Sequence, residues 1–585
     1  MRLAGMVALG VLAWSTRGLP LYGAMHTKRE TAVESSLRIW SRNARLSWFF
    51  VAVCSLVAGP VLASTATGSA AASEPSAPEV QLEGERLVGR ASPTPGINAF
   101  LGVPFAEPPI GPLRWQAPVA SVGRGGVRRA DRFAPACLQT PRILDWYRGM
   151  AERFGSSRDV FADLDTSEDC LYLNVWAPAS RPATPLPVMV FIHGGSNRSG
   201  WSFEPNYHGH RLAAEGAVVI SIAYRLGVFG FFSHPELAAQ PVSANFGLWD
   251  QLAALRWIQR NVERFGGDPQ RVTVFGESAG AGNIAMLMVA PQARGLLHRA
   301  ILQSGGDFSW PGLRSLAAER ARGLQLAAAI GAARPINAAT PPDVAALRAL
   351  DARRLLQVAE EIFRNHYHAP VQDGVLITQS IERQLAQGQV PVGSLLIGTN
   401  ANEYYSPVAP EVGGEALGRA LAAAEVLNTP EVGAVLRADA EPASAIDRLQ
   451  TAESMLCPAQ LLANAAAGAH IPTWMYWFSR VRDGAAAAQL RAYHGAELPY
   501  VFGTHDAWLP TSDLDWQLSR TMMRAWVTFA ATGSPQGADL PLWPRFRSPG
   551  RANVLEWSAR PSLIDTPEPA LCEIYRARVA ASASQ

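Results

Sequence analysis

A serine lies at the centre of the five-residue segment Gly276-Glu277-Ser278-Ala279-Gly280. The segment follows the apolar, β-branched stretch 271–275, which predicts a buried strand, and precedes the apolar stretch 281–290, which predicts a helix. A G-x-S-x-G turn between a strand and a helix is typical of a nucleophile elbow. So tight a turn needs residues without side chains beside the serine, and it projects the serine Oγ outward. The spacing therefore predicts Ser278 as a nucleophile rather than an ordinary turn serine.

The base that such a serine needs should be a histidine late in the chain. A serine hydroxyl is a poor nucleophile at neutral pH, so a base must take its proton. Enzymes with this elbow carry their catalytic groups in the order Ser, Asp or Glu, His. His494 follows the predicted strand 474–478 in a loop-like segment, which makes it the leading candidate. His470 and His505 are its rivals, and composition alone does not separate the three.

Glu403 is the candidate for the acid that orients the base. It lies in a polar loop shortly after the predicted strand 394–397. Ligand-facing loops of parallel sheets lie at the carboxyl ends of the strands, which is where a triad carboxylate belongs. The local sequence is equally compatible with an ordinary loop glutamate.

A glycine-rich loop could stabilise the negative charge that develops on a substrate oxygen. The segment His193-Gly194-Gly195-Ser196 ends the predicted strand 188–192. Glycines let backbone N–H groups approach a substrate closely, and the N–H just after the nucleophile, that of Ala279, completes such a site. Nucleophile, base, acid and oxyanion donors can therefore all be named from the sequence.

The elements around these candidates indicate an α/β fold. Continuous apolar runs predict parallel strands covered on both faces, at 171–176, 188–192, 217–222, 272–275, 299–302 and 394–397. Apolar residues from Leu248 to Phe265 recur every three or four positions and predict an amphipathic helix. This alternation indicates a doubly wound, mainly parallel sheet. Ala-rich stretches at 313–330 and 341–363 predict the helices of a cap over the carboxyl ends of the strands.

Composition argues against several classes of function. The 585 residues carry a net charge of +2, which favours neither nucleic acid nor an anionic membrane surface as a partner. The sequence has no zinc-type cysteine spacing and no P-loop. His208 with His210, and His366 with His368, are closely spaced pairs without an evident third ligand. We therefore expect loop histidines, with no metal and no cofactor.

The first 63 residues predict a leader for export. Arg42 and Arg45 precede the apolar stretch 46–58, and a small-residue cleavage site follows at Ala63. An uncleaved membrane anchor is the alternative, and Met25 is an alternative start of the chain. A flexible linker is predicted at 64–78. A single domain is predicted at 79–580.

Four cysteines follow the leader, at Cys137, Cys170, Cys457 and Cys572. An even number of cysteines in an exported chain predicts two disulfides, with three connectivities open. Four free buried thiols are the alternative.

Several motifs occur in one order along the chain and carry a family resemblance. They lie at 100–109, 167–175, 223–227, 245–251 and 265–269, the last running on into the elbow. Together they resemble the type-B carboxylesterases, the cholinesterase-like branch of the α/β-hydrolases, over about residues 80–580. The resemblance implies an α/β-hydrolase fold, with a large, mainly parallel central sheet flanked by helices and with helical cap insertions.

The resemblance implies roles that the residues alone leave open. It makes His494 the base and Glu403 the acid, since this branch uses glutamate where most α/β-hydrolases use aspartate. It implies that Ser304 supports Glu403 from outside the triad. It places Glu277 beside the site, where it is part of the cation environment in cholinesterases. The disulfide pairs that it implies are Cys137–Cys170 and Cys457–Cys572.

The chain departs from the family pattern in two places. Family members usually carry a third glycine and then an aromatic residue where this chain has Ser196-Asn197. Gly195, Ser196 and Ala279 still supply the oxyanion N–H groups by this alignment, and the missing aromatic predicts a wider site. Asn197 also begins a glycosylation sequon, but a glycan there would block the site. The segment 138–166 matches no choline-binding pattern, so Trp146 within it predicts packing rather than a cation site.

These features predict an exported serine hydrolase that acts on small-molecule carboxylic esters through an acyl-enzyme. The alternative, from another class, is a catalytically silent binding protein similar to the cholinesterase-like adhesion proteins called neuroligins. Those proteins typically lose the nucleophile, whereas this chain keeps Ser278, Glu403, His494 and the glycine-rich loop together.

Overall fold

An eleven-stranded mixed sheet forms the centre of the protein. The computed structural model describes residues 77–123, 125–305, 314–332, 344–364, 368–547 and 552–583. The chain from Ala77 onward groups into one compact unit. The predicted leader, the alternative start Met25 and most of the predicted linker lie outside the described residues. Within the described ranges, no helix is both long and apolar enough to cross a membrane.

The strands are numbered in chain order. Their bounds are β1 Glu79–Leu82, β2 Glu85–Val88, β3 Arg90–Ala91, β4 Ile97–Pro104, β5 Val127–Arg129, β6 Ala136–Cys137, β7 Thr166–Ser167, β8 Tyr172–Pro178, β9 Leu186–Ile192, β10 Val218–Ile222, β11 Gly267–Glu277, β12 Arg299–Gln303, β13 Arg314–Ser315, β14 Val371–Gln372, β15 Ser394–Asn400, β16 Thr473–Phe478, β17 Val554–Trp557 and β18 Ser562–Ile564.

The central sheet is parallel in its middle and antiparallel at both edges. Its order is β18-β17-β16-β15-β12-β11-β9-β10-β8-β4-β3. The strands from β17 across to β10 are parallel, whereas β18, β8, β4 and β3 pair antiparallel with their neighbours. The predicted parallel orientation of 171–176 is therefore wrong, because most of this run belongs to β8. A continuous apolar run reports burial on both faces, which an antiparallel strand inside a covered sheet also has.

The helices are likewise numbered in chain order. Their bounds are α1 Arg142–Arg153, α2 His210–Ala214, α3 Gly227–Gly230, α4 Phe246–Asn261, α5 Ala279–Val289, α6 Leu316–Ala332, α7 Val344–Arg348, α8 Ala352–Ile362, α9 Ile381–Ala386, α10 Pro410–Ala423, α11 Pro430–Leu436, α12 Pro442–Thr451, α13 Cys457–Gly468, α14 Ala485–Leu490, α15 Leu498–Phe502, α16 Asp513–Thr532 and α17 Pro569–Ala583.

Helices cover both faces of the sheet, which explains why the central strands carry apolar residues on both faces. Alternate residues of a strand point to opposite faces. Val190 of β9 accordingly belongs to one core cluster, with Leu252 of α4, and Phe191 belongs to the other, with Trp526 of α16. Both clusters are buried, so the sheet is held between two apolar layers.

Two of the sequence motifs meet in a buried ion pair. Arg225 follows β10, and Asp250 lies on α4. The Nε and Nη2 atoms of Arg225 each lie 2.7 Å from an Asp250 oxygen, and 3% and 0% of the two side chains are exposed. Because removal of one partner would leave a buried charge uncompensated, the pair fixes the segment after β10 against α4.

The two Ala-rich stretches form helices, as predicted, namely α6 and the pair α7 and α8. Their buried side chains form an apolar cluster with Trp115, Phe229 and Phe246. Arg198, in the loop that follows β9, binds Glu360 of α8 through two hydrogen bonds from its Nε, of 2.8 and 3.0 Å. The helix α8 therefore lies beside the carboxyl end of β9, on the side predicted for the cap.

Candidate active site

Ser278 lies in a strained turn between β11 and α5. Its backbone angles are φ 56° and ψ −125°, a combination that L residues rarely adopt. A Cβ atom at Gly280 would lie 2.0 Å from the carbonyl oxygen of Ile192, and one at Gly276 would lie 2.5 Å from the same oxygen. The turn therefore excludes side chains at positions 276 and 280, two residues before and two residues after the serine. The Ser278 N–H donates to the Gln303 carbonyl of β12 at 2.8 Å, which holds the turn against the neighbouring strand.

His494 and Glu403 form a hydrogen-bonded pair. The Nδ1 atom of His494 lies 2.7 Å from Glu403 Oε2, although the residues are 91 positions apart in the chain. Glu403 Oε1 accepts the Asn400 N–H at 2.7 Å, and the Glu403 side chain is fully buried. A carboxylate held in this way favours the imidazole tautomer with hydrogen on Nδ1, which leaves Nε2 free to take a proton.

The rival histidines are engaged elsewhere. His505 Nδ1 accepts from Arg482 at 3.1 Å, and its ring packs edge-on against Trp516. Burial, with a smaller contribution from Arg482, lowers the pKa of His505 to about 3. His470 lies in the turn after α13. Of the three histidines, His494 alone pairs with the candidate acid.

The second ring nitrogen of His494 lies beside Glu277. His494 Nε2 lies 3.1 Å from Glu277 Oε1, a close approach without the alignment of a hydrogen bond. Ser278 Oγ makes no hydrogen bond with any described residue. Catalytic hydrogen bonds of unliganded enzymes often form only with substrate, so this spacing is compatible with catalysis.

The pKa values of this pair reflect burial and charge. Burial raises the pKa of Glu277 above its ordinary value, although His494 opposes the rise. Burial lowers the pKa of His494, but the Glu277 charge and the hydrogen bond to Glu403 outweigh it, and the net shift is upward. The imidazole thus lies between two carboxyl groups that favour its protonated form.

A further carboxyl group, that of Glu204, is buried close to Glu277. Glu204 Oε2 accepts from Tyr147 at 2.9 Å, and Oε1 accepts the Trp201 N–H at 3.1 Å. Burial raises the pKa of Glu204 to about 7. Tyr147 belongs to α1, so this bond holds the segment 138–166 against the site. Trp146 packs edge-on against Tyr147 with ring centres 5.0 Å apart, which is the packing role predicted for it.

Asn400, at the end of β15, joins the segments that carry the acid and the base. Its Nδ2 donates to the Tyr493 carbonyl at 2.8 Å and to Glu497 Oε2 at 2.6 Å, while its N–H donates to Glu403. Glu497 also accepts from Gln303 at 3.0 Å. The residues alone did not indicate these hydrogen bonds of Asn400. The available signal was the position of Glu497, three residues after His494 in the same loop.

The glycine-rich loop lies directly on the elbow. A Cβ atom at Gly194 would lie 2.9 Å from Ser278 Cβ, so only glycine fits there. The N–H groups of Gly195, Ser196 and Ala279 donate to no described residue. Backbone donors are rarely left without a partner, and three of them beside a nucleophile could bind an oxyanion.

Asn197 and Ser304, two further residues that the sequence singled out, are both buried. The Asn197 side chain is fully buried, and its Nδ2 donates to Asn283 and to the His368 carbonyl. A buried amide nitrogen with two partners is also closed to a glycan. Ser304 Oγ is buried without a hydrogen bond to any described residue, and Glu403 Oε1 accepts from Asn400. Support of Glu403 by Ser304 stays a prediction.

The carboxylesterase family model matches residues 76–429 and 434–574. The chain belongs to the carboxylesterase family. The fumonisin B1 esterase of Sphingopyxis macrogoltabida is 33% identical over 490 residues, which cover 78% of this chain and 82% of that protein. The para-nitrobenzyl esterase of Bacillus subtilis (strain 168) is 34% identical over 468 residues, which cover 79% of this chain and 91% of that protein.

Solved structures of carboxylesterases share the fold. A PNB esterase covers 85% of this chain and 99% of its own, with a TM-score of 0.70 and 30% identity. A carboxylesterase of Geobacillus stearothermophilus covers 85% of this chain and 100% of its own, with a TM-score of 0.71 and 29% identity. The α/β-hydrolase fold is thereby confirmed, and membership of the carboxylesterase family supports hydrolysis of carboxylic esters as the class of reaction.

The remaining candidate residues of this carboxylesterase fall into disulfides and isolated histidines. Disulfides join Cys137 to Cys170 and Cys457 to Cys572, and such bonds are typical of extracellular or periplasmic proteins. His208 and His210 have separate partners, since His208 Nε2 lies 3.3 Å from the Phe203 carbonyl and His210 Nδ1 lies 2.7 Å from Thr94 Oγ1. In the described ranges, no three His, Cys, Asp or Glu residues are grouped to hold a metal ion. His366 lies outside those ranges.

Proposed function

We propose that this carboxylesterase is a serine hydrolase that cleaves small-molecule esters through an acyl-enzyme. Ser278 is the nucleophile, His494 the general base and Glu403 the acid that orients it. The observation that carries the proposal is the 2.7 Å hydrogen bond between Glu403 and His494, formed beside the strained turn of Ser278. A buried carboxylate bound to the Nδ1 of a histidine beside an elbow serine is the arrangement that a general base needs.

In the first half of the reaction, Ser278 Oγ attacks the ester carbonyl carbon and His494 Nε2 takes the hydroxyl proton. Because Ser278 Oγ and His494 Nε2 share no hydrogen bond, a rotation of the serine side chain or a small movement of the imidazole brings the two atoms together before the proton is transferred. The carbonyl oxygen becomes an oxyanion, which the N–H groups of Gly195, Ser196 and Ala279 stabilise.

In the second half, the tetrahedral intermediate collapses and His494 gives its proton to the departing alcohol. Water then attacks the acyl-enzyme and gives a proton to His494, which forms a second tetrahedral intermediate. When the bond from the acyl carbon to Ser278 Oγ breaks, His494 returns the proton to Oγ and the carboxylic acid leaves. Glu403 stays ionised throughout and stabilises the imidazolium.

The substrate class is a small-molecule carboxylic ester. Relatives carry the names of fumonisin B1, para-nitrobenzyl and cocaine esterases, which are chemically dissimilar ester classes, so membership supports no narrower choice. We also propose that the chain is exported through the leader predicted at 1–63. The two disulfides support an oxidising compartment.

The test is covalent labelling by a fluorophosphonate, with hydrolysis of p-nitrophenyl esters from acetate to decanoate. We expect one adduct on Ser278 and loss of hydrolysis with labelling. Ser278→Ala and His494→Ala should each lower kcat by about 10⁴- to 10⁶-fold without changing the unfolding midpoint. Ser534→Ala, in the turn after α16, is the matched control and should keep full activity. A folded wild-type chain with neither adduct nor turnover would instead support the silent binding protein.

A further inference from the structure

The loop that carries two of the oxyanion N–H groups adopts an unusual backbone. Ser196 and Asn197 are consecutive non-glycine residues in the left-handed region, with φ of 61° and 55°. The Arg198 and Ser199 N–H groups both donate to the Gly195 carbonyl at 3.1 Å, which closes the turn. L residues adopt this conformation at a cost, although asparagine tolerates it better than most. Something outside the turn must therefore hold it.

The Asn197 side chain supplies that hold through a buried pair of amides. Asn197 Nδ2 donates to Asn283 Oδ1 at 3.3 Å, and Asn283 Nδ2 donates back to Asn197 Oδ1 at 2.8 Å. Neither side chain is exposed. Asn197 Nδ2 also donates to the His368 carbonyl at 2.9 Å, and the Tyr224 hydroxyl, which donates to the His193 carbonyl at 2.9 Å, lies 3.3 Å from Asn197 Oδ1.

The position of Asn283 gives this pair its significance. Asn283 lies on α5, the helix that starts at Ala279 immediately after the nucleophile, and its neighbours in that helix are apolar or small. The amide pair therefore connects the helix whose first N–H is one oxyanion donor with the loop that supplies the other two. Buried polar pairs of this kind fix one arrangement, because a shift would break both amide hydrogen bonds and leave the buried Asn283 side chain without a partner among the described residues.

We propose that Asn197 and Asn283 form a positioning pair that sets the distance between the two halves of the oxyanion hole. The role rests on the proposed function, since it presupposes that Gly195, Ser196 and Ala279 bind a developing oxyanion. The pair does not touch substrate. It acts by keeping the loop in its left-handed turn and at a fixed distance from α5.

The loop has a second attachment on its outer side, which the amide pair does not replace. Arg198 binds Glu360 of α8 and donates to the Arg364 carbonyl at 2.6 Å. This attachment holds the loop toward the cap, whereas the amide pair holds it toward the elbow. Among the side-chain hydrogen bonds of the described residues, those of the amide pair join the two groups of oxyanion donors directly.

The test compares Asn283→Ala and Asn197→Gly with the double variant. Glycine at 197 keeps the left-handed backbone at low cost, so this variant removes the side chain without straining the turn. Loss of a single oxyanion donor costs about 10²- to 10³-fold in kcat, and a displaced donor should cost less. We therefore expect each single variant to lower kcat about 10- to 100-fold with KM nearly unchanged, and the double variant to be no slower than either single variant.

A transition-state analogue separates positioning from general stability. A trifluoromethyl ketone adds to the serine and forms the oxyanion, so its affinity should fall by the same factor as kcat/KM in each variant. Asn261→Ala is the matched control. Asn261 donates its Nδ2 to the Trp257 carbonyl at 2.9 Å at the end of α4, close to the start of β11, and its removal should leave inhibition unchanged.

The outcomes are distinct. Parallel losses in kcat and ketone affinity, with unfolding midpoints near that of the wild type, would support the positioning role. Unchanged kcat, additive losses in the double variant, or failure of both single variants to fold would overturn it in an active wild-type enzyme. A folded wild-type chain without turnover or fluorophosphonate labelling would overturn the proposed function itself, and the positioning role with it.

Discussion

The contact between Glu277 and His494 predicts a shift in the pH dependence of hydrolysis. His494 must be neutral to accept a proton, and its raised pKa requires a higher pH for that state. Replacing Glu277 by glutamine removes the charge 3.1 Å from Nε2 while keeping the shape of the side chain. The pKa of His494 should therefore fall, and the acid limb of kcat/KM should move to lower pH.

The size of the pKa shift of His494 follows from its distance to Glu277 Oε1 and from the exposed fraction of the His494 side chain. Two unit charges 3.1 Å apart interact by about 1.3 kcal/mol in water and by about 5 kcal/mol at an effective dielectric constant of 20. The lower half of this range applies, because 36% of the His494 side chain is exposed and burial keeps part of the Glu277 population neutral. Since one pKa unit corresponds to about 1.4 kcal/mol, we expect a shift of about 1–2 pH units.

The assay is the pH profile of kcat/KM for p-nitrophenyl butyrate with wild type and Glu277→Gln. Glu204→Gln is the control. It removes a buried charge that raises the pKa of Glu277, so Glu277 becomes more ionised and the acid limb of this variant should not move to lower pH. An acid limb that stays within about 0.3 pH units of wild type in Glu277→Gln would refute the reasoning, as would equal downward shifts in both variants.

Two further predictions concern stability and the disulfides. Asp515→Asn should lower the free energy of unfolding by about 3 kcal/mol in urea titrations at pH 7, because Arg480 Nε lies 2.9 Å from this buried carboxylate. The control is Asp513→Asn, exposed on the same helix turn, which should lower the free energy of unfolding by less than about 0.5 kcal/mol. Equal losses in the two variants would contradict this prediction. Burial raises the pKa of Asp515, but hydrogen bonds from Arg480 and Ser512 outweigh burial and lower it. The contribution of Asp515 to stability should therefore be lost progressively as the pH falls through the ordinary aspartate range toward the lowered pKa of the folded protein. Dithiothreitol should reduce Cys457–Cys572, which lines a cavity of about 220 Å³, before Cys137–Cys170, whose cavity is about 10 Å³; timed alkylation and mass spectrometry would show the order, and the reverse order would contradict it.

The elbow, the strands and the main helices could be predicted because they depend on short-range preferences. The stretch 271–290 specifies strand, turn and helix through its own apolar pattern and glycines, and the structure places β11, Ser278 and α5 there. Strand direction could not be obtained in the same way. The run at 171–176 is equally apolar whether its neighbour is parallel or antiparallel, since burial on both faces is all that its composition records.

In the site, too, local sequence indicated the candidate side chains, whereas their pairing depended on the tertiary structure. The choice among His470, His494 and His505 stayed open from the residues alone, and the register of β15 with β16 favours His494. That register brings the loop after β15, with Glu403, beside the loop after β16, with His494.

The sequence by itself determined the nucleophile's turn, the glycine-rich loop, the two-sided burial of the sheet and, through its ordered motifs, the family. Each of these features depends on short segments whose residues are close together in the chain. Only the tertiary structure decided that His494 lies between Glu403 and Glu277, and that Asn197 pairs with Asn283. Hydrogen bonds and charge interactions act over about 3–4 Å. They therefore depend on how strands far apart in the chain are registered, which local sequence does not encode.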